Sequence, residues 1–188
     1  MKKIRTCILI LFLSATSVNF AQKEKTNSET RQFIDNADFT QVNRDWNIIA
    51  DFKSGLGETV LFFPVEAIDL KTTKSIKSLQ MDMTVISELG GRSYFKSSWI
   101  DLNEIEEFIY FLENYVVPNL KDKAENKQST TYIFNSKEIT FSFQIKKTMR
   151  KISIYLKDNG IIDTQHYFWT EAQVSKIPDL LEVLKKLR

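Results

Sequence analysis

The sequence contains few of the residues on which cross-links and common catalytic sites depend. Its 188 residues include 1 cysteine, 1 histidine, 3 prolines and 5 glycines. These counts exclude a disulfide-rich fold, a zinc site of the usual spacing and a collagen-like chain. Hydrophobic residues make up 43% of the chain and charged residues 27%, which excludes disorder along its whole length. What remains is an ordinary globular composition.

The first 21 residues have the features of a secretory signal peptide. Basic residues at the start precede a short apolar run over residues 7–13, and small and polar residues follow. The run is shorter than the about 20 residues that a membrane-spanning helix needs. The alternative is a buried N-terminal strand or helix. We expect cleavage after residue 21, export to the periplasm or the extracellular space, and no membrane span afterwards.

Loss of this segment would change the charge of the protein. It removes Lys2, Lys3 and Arg5, which leaves 23 basic against 24 acidic residues and a net charge of −1. A nearly neutral chain has no overall field that attracts nucleic acid or anionic lipid. The exported chain would also contain no cysteine, which excludes a thiolate nucleophile.

We expect one folded domain after a polar lead-in. Residues 22–43 are polar and mixed in charge, and we expect them to be poorly ordered apart from one short helix. Within residues 44–188, apolar and polar residues alternate in several segments, most strictly over 78–85 and 139–146. This period of two predicts strands with one buried face, which is typical of antiparallel sheets.

Two segments of helical periodicity follow the strands. Asp101 with Glu104, and Thr170 with Gln173, have the spacing of capping boxes, and apolar residues recur at helical spacing after each. Pro178 lies inside the second pattern, so it should kink that helix or divide it near this position.

The sequence therefore predicts an α+β fold in which antiparallel meander sheets pack with two amphipathic helices. The order of elements suggests two consecutive β-β-β-β-α units, as pseudo-repeats over residues 44–120 and 129–188, packed as one domain. Trp99 precedes the first helix and Trp169 the second. The alternative is a chance arrangement, since the two halves share few identical residues.

Over residues 46–187 this order of elements resembles, in topology only, the PUR-type and Whirly-type single-strand nucleic-acid binders. The resemblance includes no matched sequence motif. It implies binding of single strands through basic and aromatic sheet faces. Expected export and a net charge near zero argue against that activity. A shared fold does not by itself imply a shared function.

Common catalytic motifs are missing. No stretch matches a phosphate-binding loop, a calcium-binding loop or the elbow of a serine hydrolase. His166, on the last predicted strand, is the one histidine that could activate a nucleophile, although a partly exposed sheet residue is the more ordinary interpretation. We expect no cofactor and no metal, and a small hydrolase using His166 is an alternative function.

Two groups of residues are candidates for binding. The first consists of residues near the strand-to-helix junctions, which form either an apolar platform or part of the core: Tyr94, Trp99, His166, Tyr167 and Trp169. The second is a basic patch at a predicted hairpin, which contacts an acidic partner or discourages edge pairing: Lys146, Lys147, Arg150 and Lys151. We predict a non-catalytic module that binds a protein, an envelope component or a small ligand.

Overall fold

The computed structural model describes residues 27–86, 91, 93–121, 128–158 and 160–188. The predicted signal segment lies outside these residues. Three helices occur in the described part of the chain: α1 Glu29–Asn36, α2 Leu102–Phe111 and α3 Ile177–Lys185. A π-helical turn, Leu112–Val116, and a 3-10 turn, Val117–Asn119, continue α2, and another 3-10 turn, Val174–Lys176, precedes α3.

Nine strands form two antiparallel sheets in the described residues, which confirms the α+β prediction. The first sheet contains β1 Thr40–Arg44, β2 Ala50–Lys53, β3 Thr59–Asp69, β4 Ser75–Ile86 and β5 Ser93–Asp101. The second contains β6 Ser129–Asn135, β7 Ile139–Lys146, β8 Met149–Asp158 and β9 Ile161–Thr170. The two strictly alternating sequence segments lie in β4 and β7.

Both sheets are meanders, and the first has a strand more than the expected four. Strands β3, β4 and β5 pair in order, while β1 and β2 both pair with β3 along different parts of its length. The second sheet has the simple order β6-β7-β8-β9.

The helices close one core between the inner faces of the two sheets. Phe108 of α2 stacks on Phe134 of β6 with ring centroids 4.4 Å apart and lies 5.4 Å from the ring of Phe141 in β7. Helix α3 packs against the first sheet, on strands β2 and β3. Each helix therefore contacts the sheet of the other unit, and both units contribute to a single apolar cluster. None of the helices in the described part of the chain combines the length and apolar character needed to cross a membrane.

The polar lead-in contains the short helix that we expected. Residues 28–43 include the whole of α1 and most of β1. Long-range polar contacts hold the start of α1. Asp101 accepts hydrogen bonds from the backbone N–H groups of Glu29 and Thr30 at 2.7 and 3.0 Å. An ordered segment is usually recognised by its apolar periodicity. Here polar contacts with residues far away in the sequence position the segment instead.

Helix α3 begins later than its capping pattern suggested. Thr170 is the last residue of β9 and pairs with Ile152, so the capping box starting at Thr170 is wrong. Pro178 occupies one of the first positions of α3, where its missing N–H group is not needed. The division of this segment near Pro178 is therefore confirmed.

Candidate functional site

The outer face of the second sheet is a grid of side chains set by strand register. Side chains alternate between the two faces of a strand, so residues that pair across strands point to the same side. Three rows of such partners face away from the core. We call this surface the open face: Thr131, Gln144, Lys151; Ile133, Ser142, Ser153, Trp169; Asn135, Thr140, Tyr155 and Tyr167.

A shallow groove of about 340 Å³ lies on the open face. In the middle row the central strands β7 and β8 contribute the small side chains of Ser142 and Ser153, while the outer strands β6 and β9 contribute Ile133, which is 55% exposed, and Trp169. Small groups between large groups make the surface concave. The volume is at the lower end of the about 300–1,000 Å³ typical of ligand pockets. The groove can therefore hold part of a longer ligand.

Tyrosines form one end of this surface. Tyr155 and Tyr167 are direct partners across β8 and β9, and their rings stack with centroids 4.3 Å apart at an angle of 22°. The hydroxyl of Tyr167 lies 3.3 Å from that of Ser153. Burial, together with the hydrogen bond and the charge of Tyr167, raises the pKa of Tyr155 above its usual value. Tyr155 is therefore a neutral hydrogen-bonding group near pH 7.

Trp169 and two lysines characterise the other end. Trp169 is 39% exposed, and the ammonium group of Lys151 lies 5.9 Å from the centroid of its ring. Lys146 lies one row further along, because it pairs with Ser129 and Met149. The strand positions of the open face include no aspartate or glutamate. This end of the surface is therefore positively charged.

The structure separates the predicted aromatic group into three places. Tyr167 and Trp169 lie together on the open face. Trp99 is only 7% exposed and packs with Phe63 and Val65 in a small core on the outer side of the first sheet. Tyr94 contacts His166 edge to face, with ring centroids 6.2 Å apart, where β5 approaches β9.

The predicted basic patch is also divided. Lys146 and Lys151 lie on the side of the open face, whereas Arg150 pairs with Ile145 and lies on the opposite side of the sheet. Lys147 is in the turn between β7 and β8 with a φ of 56°, a left-handed conformation that is uncommon for a lysine. Two of the four cations therefore contribute to the charge beside the groove.

His166 belongs to a partly buried ionic cluster. Its Nδ1 lies 2.8 Å from Oδ2 of Asp163, and the ammonium of Lys96 lies 3.2 Å from the same oxygen. Burial raises the pKa of Asp163, but hydrogen bonds from the Gln165 N–H, His166 and Lys96 outweigh it and hold this pKa below its usual value. Lys96 is in β5, so the cluster connects the edges of the two sheets.

The hydrolase alternative needs a nucleophile beside His166. His166 is 8% exposed, and among the described residues no serine, threonine or tyrosine hydroxyl is hydrogen-bonded to its ring. A buried imidazole held by a carboxylate fits a structural contact between β5 and β9. The same part of the chain contains no group of three or more His, Cys, Asp or Glu side chains that could hold a metal ion.

The sequence did not reveal the two carboxylates that hold α1. Glu138, in the turn before β7, accepts from the hydroxyl of Ser28 at 2.6 Å and from Nε and Nη2 of Arg31 at 2.8 and 2.7 Å. It also accepts from the backbone N–H of Trp99 at 3.1 Å. The hydrogen bond to Glu138 raises the pKa of Arg31, although burial opposes it. Glu138 therefore connects α1 to both sheets.

Asp101 completes this anchor. It accepts from the Thr30 hydroxyl at 2.9 Å and lies 2.9 Å from the ammonium of Lys137, in addition to its bonds with the first N–H groups of α1. Burial raises the pKa of Asp101, but the bonds from Lys137, Glu29 and Thr30 prevail, and the pKa is lower than usual. Helix α1 is consequently held over Trp99, which explains why this tryptophan is buried.

Comparison with protein-family models, with curated proteins and with solved structures finds no match to this chain.

Proposed function

We propose that the protein is an exported, non-catalytic binding module whose ligand occupies the open face of the second sheet. The observation that carries this proposal is the difference between the two sheets. Helix α1 packs over the outer face of the first sheet and buries Trp99, whereas Trp169 of the second sheet is 39% exposed beside a groove. An exposed aromatic group beside convergent polar groups is typical of a binding surface.

The chemistry of the open face supports binding rather than catalysis. Its central groups are hydroxyls and an amide, which donate and accept hydrogen bonds but need an adjacent base to act as nucleophiles. Its one charged side chain within the three rows is Lys151. These groups can orient a polar ligand while the aromatic rings cover its apolar parts.

The proposal of export depends on the first 21 residues. Expression of the full chain in a bacterial host should yield a periplasmic or secreted protein whose mass corresponds to cleavage after residue 21. A cytoplasmic protein that retains this segment would contradict export, but it would leave the binding proposal intact.

The binding proposal is tested by mapping amide chemical shifts with three probes. The probes are a neutral oligosaccharide, an acidic oligosaccharide and a single-stranded oligodeoxythymidine. We expect at least one probe to shift amides of β6–β9 around the open face, with the amides of β3 and β4 unchanged. Shifts confined to the first sheet, or no shift with any probe, would contradict the proposal.

A further inference from the structure

We infer that the ligand of the open face is an acidic oligosaccharide, a chain of sugar rings that carries carboxylate groups. This inference depends on the proposed binding function and names the chemical class of the ligand. Charge, hydrogen-bonding groups and the arrangement of the aromatic rings each support it.

The charge of the open face is complementary to an anion. Lys151 and Lys146 lie at one end of it, and no carboxylate occupies a strand position of this surface. The first sheet differs, because Asp82 and Asp101 lie on its outer side. Since opposite charges that approach within a few ångströms attract and like charges repel, the second sheet favours a ligand with negative groups near its lysines.

The centre of the open face matches the hydroxyls of a sugar. Each sugar hydroxyl both donates and accepts hydrogen bonds, and so do the side chains of Thr140, Ser142 and Ser153. Gln144 adds an amide, which also has both functions. These four groups lie in the two central strands, where a ligand in the groove would contact them. Each of the four already makes one hydrogen bond within the sheet, at 2.8 to 3.5 Å, and keeps further donor or acceptor capacity for a ligand.

Trp169 provides a flat apolar surface for one sugar ring. The C–H groups on one side of a pyranose form a weakly polarised face that packs on an indole ring. The ammonium of Lys151 lies 5.9 Å from the centroid of that ring. A uronic acid stacked on Trp169 would therefore hold its carboxylate close to a lysine.

The same aromatic groups are less suited to single-stranded nucleic acid. Binders of that class place cations along the whole backbone and present open ring faces to successive bases. Here the rings of Tyr155 and Tyr167 stack on each other, so each covers one face of the other. The cations lie at the two ends of the open face rather than along it. Lys151 and Lys146 are near Trp169, and Lys157 lies beyond Tyr155, where its ammonium donates to the Ser136 carbonyl at 2.7 Å. This arrangement favours hydroxyl-rich rings over a series of stacked bases.

The experiment compares two ligands that differ only in charge. An oligogalacturonate and its fully methyl-esterified form are titrated into the protein by calorimetry. Esterification keeps the rings and removes the carboxylates, so we expect it to weaken binding by about tenfold, as the loss of one or two ion pairs would.

Variants then assign the binding to the open face. Trp169→Ala should weaken oligogalacturonate binding by about tenfold, because it removes the ring on which a sugar would stack. Lys151→Ala should weaken it by about fivefold while leaving the ester almost unaffected. The matched controls are Trp46→Ala and Lys77→Ala, since both side chains are exposed and lie away from the open face, Trp46 in the loop between β1 and β2 and Lys77 in β4.

The possible results distinguish failure of the inference about the ligand from failure of the proposed binding function. Charge-dependent binding that requires Trp169 and Lys151 supports the inference. Equal affinity for the acid and the ester, or binding of only a neutral oligosaccharide or oligodeoxythymidine at the open face, overturns it and leaves the proposed function intact. Binding that is unchanged in Trp169→Ala, or self-association through the open face without any ligand bound, overturns both.

Discussion

The two sheets carry a tryptophan at corresponding places, yet these residues have opposite environments. Trp99 lies at the end of β5 before α2, and Trp169 lies at the end of β9 before α3. Trp99 is 7% exposed under α1, and Trp169 is 39% exposed with a lysine beside it. The protein's own N-terminal segment fills one surface, while no described segment fills the other.

The difference shows that strand alternation does not by itself decide which face is covered. Both outer faces contain uncharged polar residues in their central strands, including Ser78 and Gln80 on the first sheet and Ser142 and Ser153 on the second. Helix α1 covers the first sheet, and two buried carboxylates hold it there by accepting hydrogen bonds from its N-terminus. The open face has no carboxylate for a helix N-terminus, so it is suited to a different occupant.

Replacing the two tryptophans should have the most unequal effect on stability. Trp99→Ala removes a buried ring and should lower the free energy of unfolding by about 3–5 kcal/mol. Trp169→Ala should lower it by less than about 1 kcal/mol, because the ring is partly exposed. Urea denaturation followed by far-ultraviolet circular dichroism measures both values. Similar losses for the two variants would mean that the two surfaces are covered to the same extent.

Loss of the anchor should uncover the first sheet. Glu138→Gln keeps the shape of the side chain but leaves Arg31 and the hydroxyl of Ser28 without their charged acceptor, which should cost about 2–3 kcal/mol. Proteolysis should then cleave α1 faster than in the wild type. Arg44→Gln is a control on the same sheet, because Arg44 contacts Gln80 rather than α1. Unchanged stability and cleavage in Glu138→Gln would show that α1 is held in another way.

The anchor should also make stability depend on pH. The folded-state pKa of Asp101 is below its usual value, so its stabilising contribution is complete above the unfolded-state pKa and disappears as the pH falls through the folded-state value. Burial raises the pKa of Glu104, which has the opposite sign and makes the fold more stable as this group becomes protonated. As the pH falls below 5, the free energy of unfolding of Asp101→Asn, measured with urea, should therefore decrease less than that of the wild type. A parallel loss would contradict the role of Asp101.

The smallest effect concerns the cation beside Trp169. Lys151→Ala should change the free energy of unfolding by less than about 0.5 kcal/mol, because a partly exposed cation–π contact contributes little to stability. The same variant should weaken binding of an acidic ligand. A loss above 1 kcal/mol would instead make Lys151 part of the fold.

Short sequence patterns predicted the elements whose structure depends on neighbouring residues in the chain. The alternation in β4 and β7 predicted their buried faces, and the pairing of Asp101 with Glu104 marked the start of α2. The exposure of Trp169 and the burial of Trp99 could not be predicted, since both precede a helix in the same way. Their difference depends on Glu138, which is 110 residues from Ser28 and lies in a turn that resembles a solvated hairpin.

The most direct test of this account is hydroxyl-radical footprinting of the three tryptophans in the native protein. Trp46, which is 56% exposed, provides the reference for a reactive ring. We predict that Trp169 is oxidised at a rate comparable to that of Trp46 and that Trp99 is protected. Oxidation of Trp99 as fast as Trp169, or protection of Trp169 without a ligand, would contradict the claim that one sheet is covered and the other open.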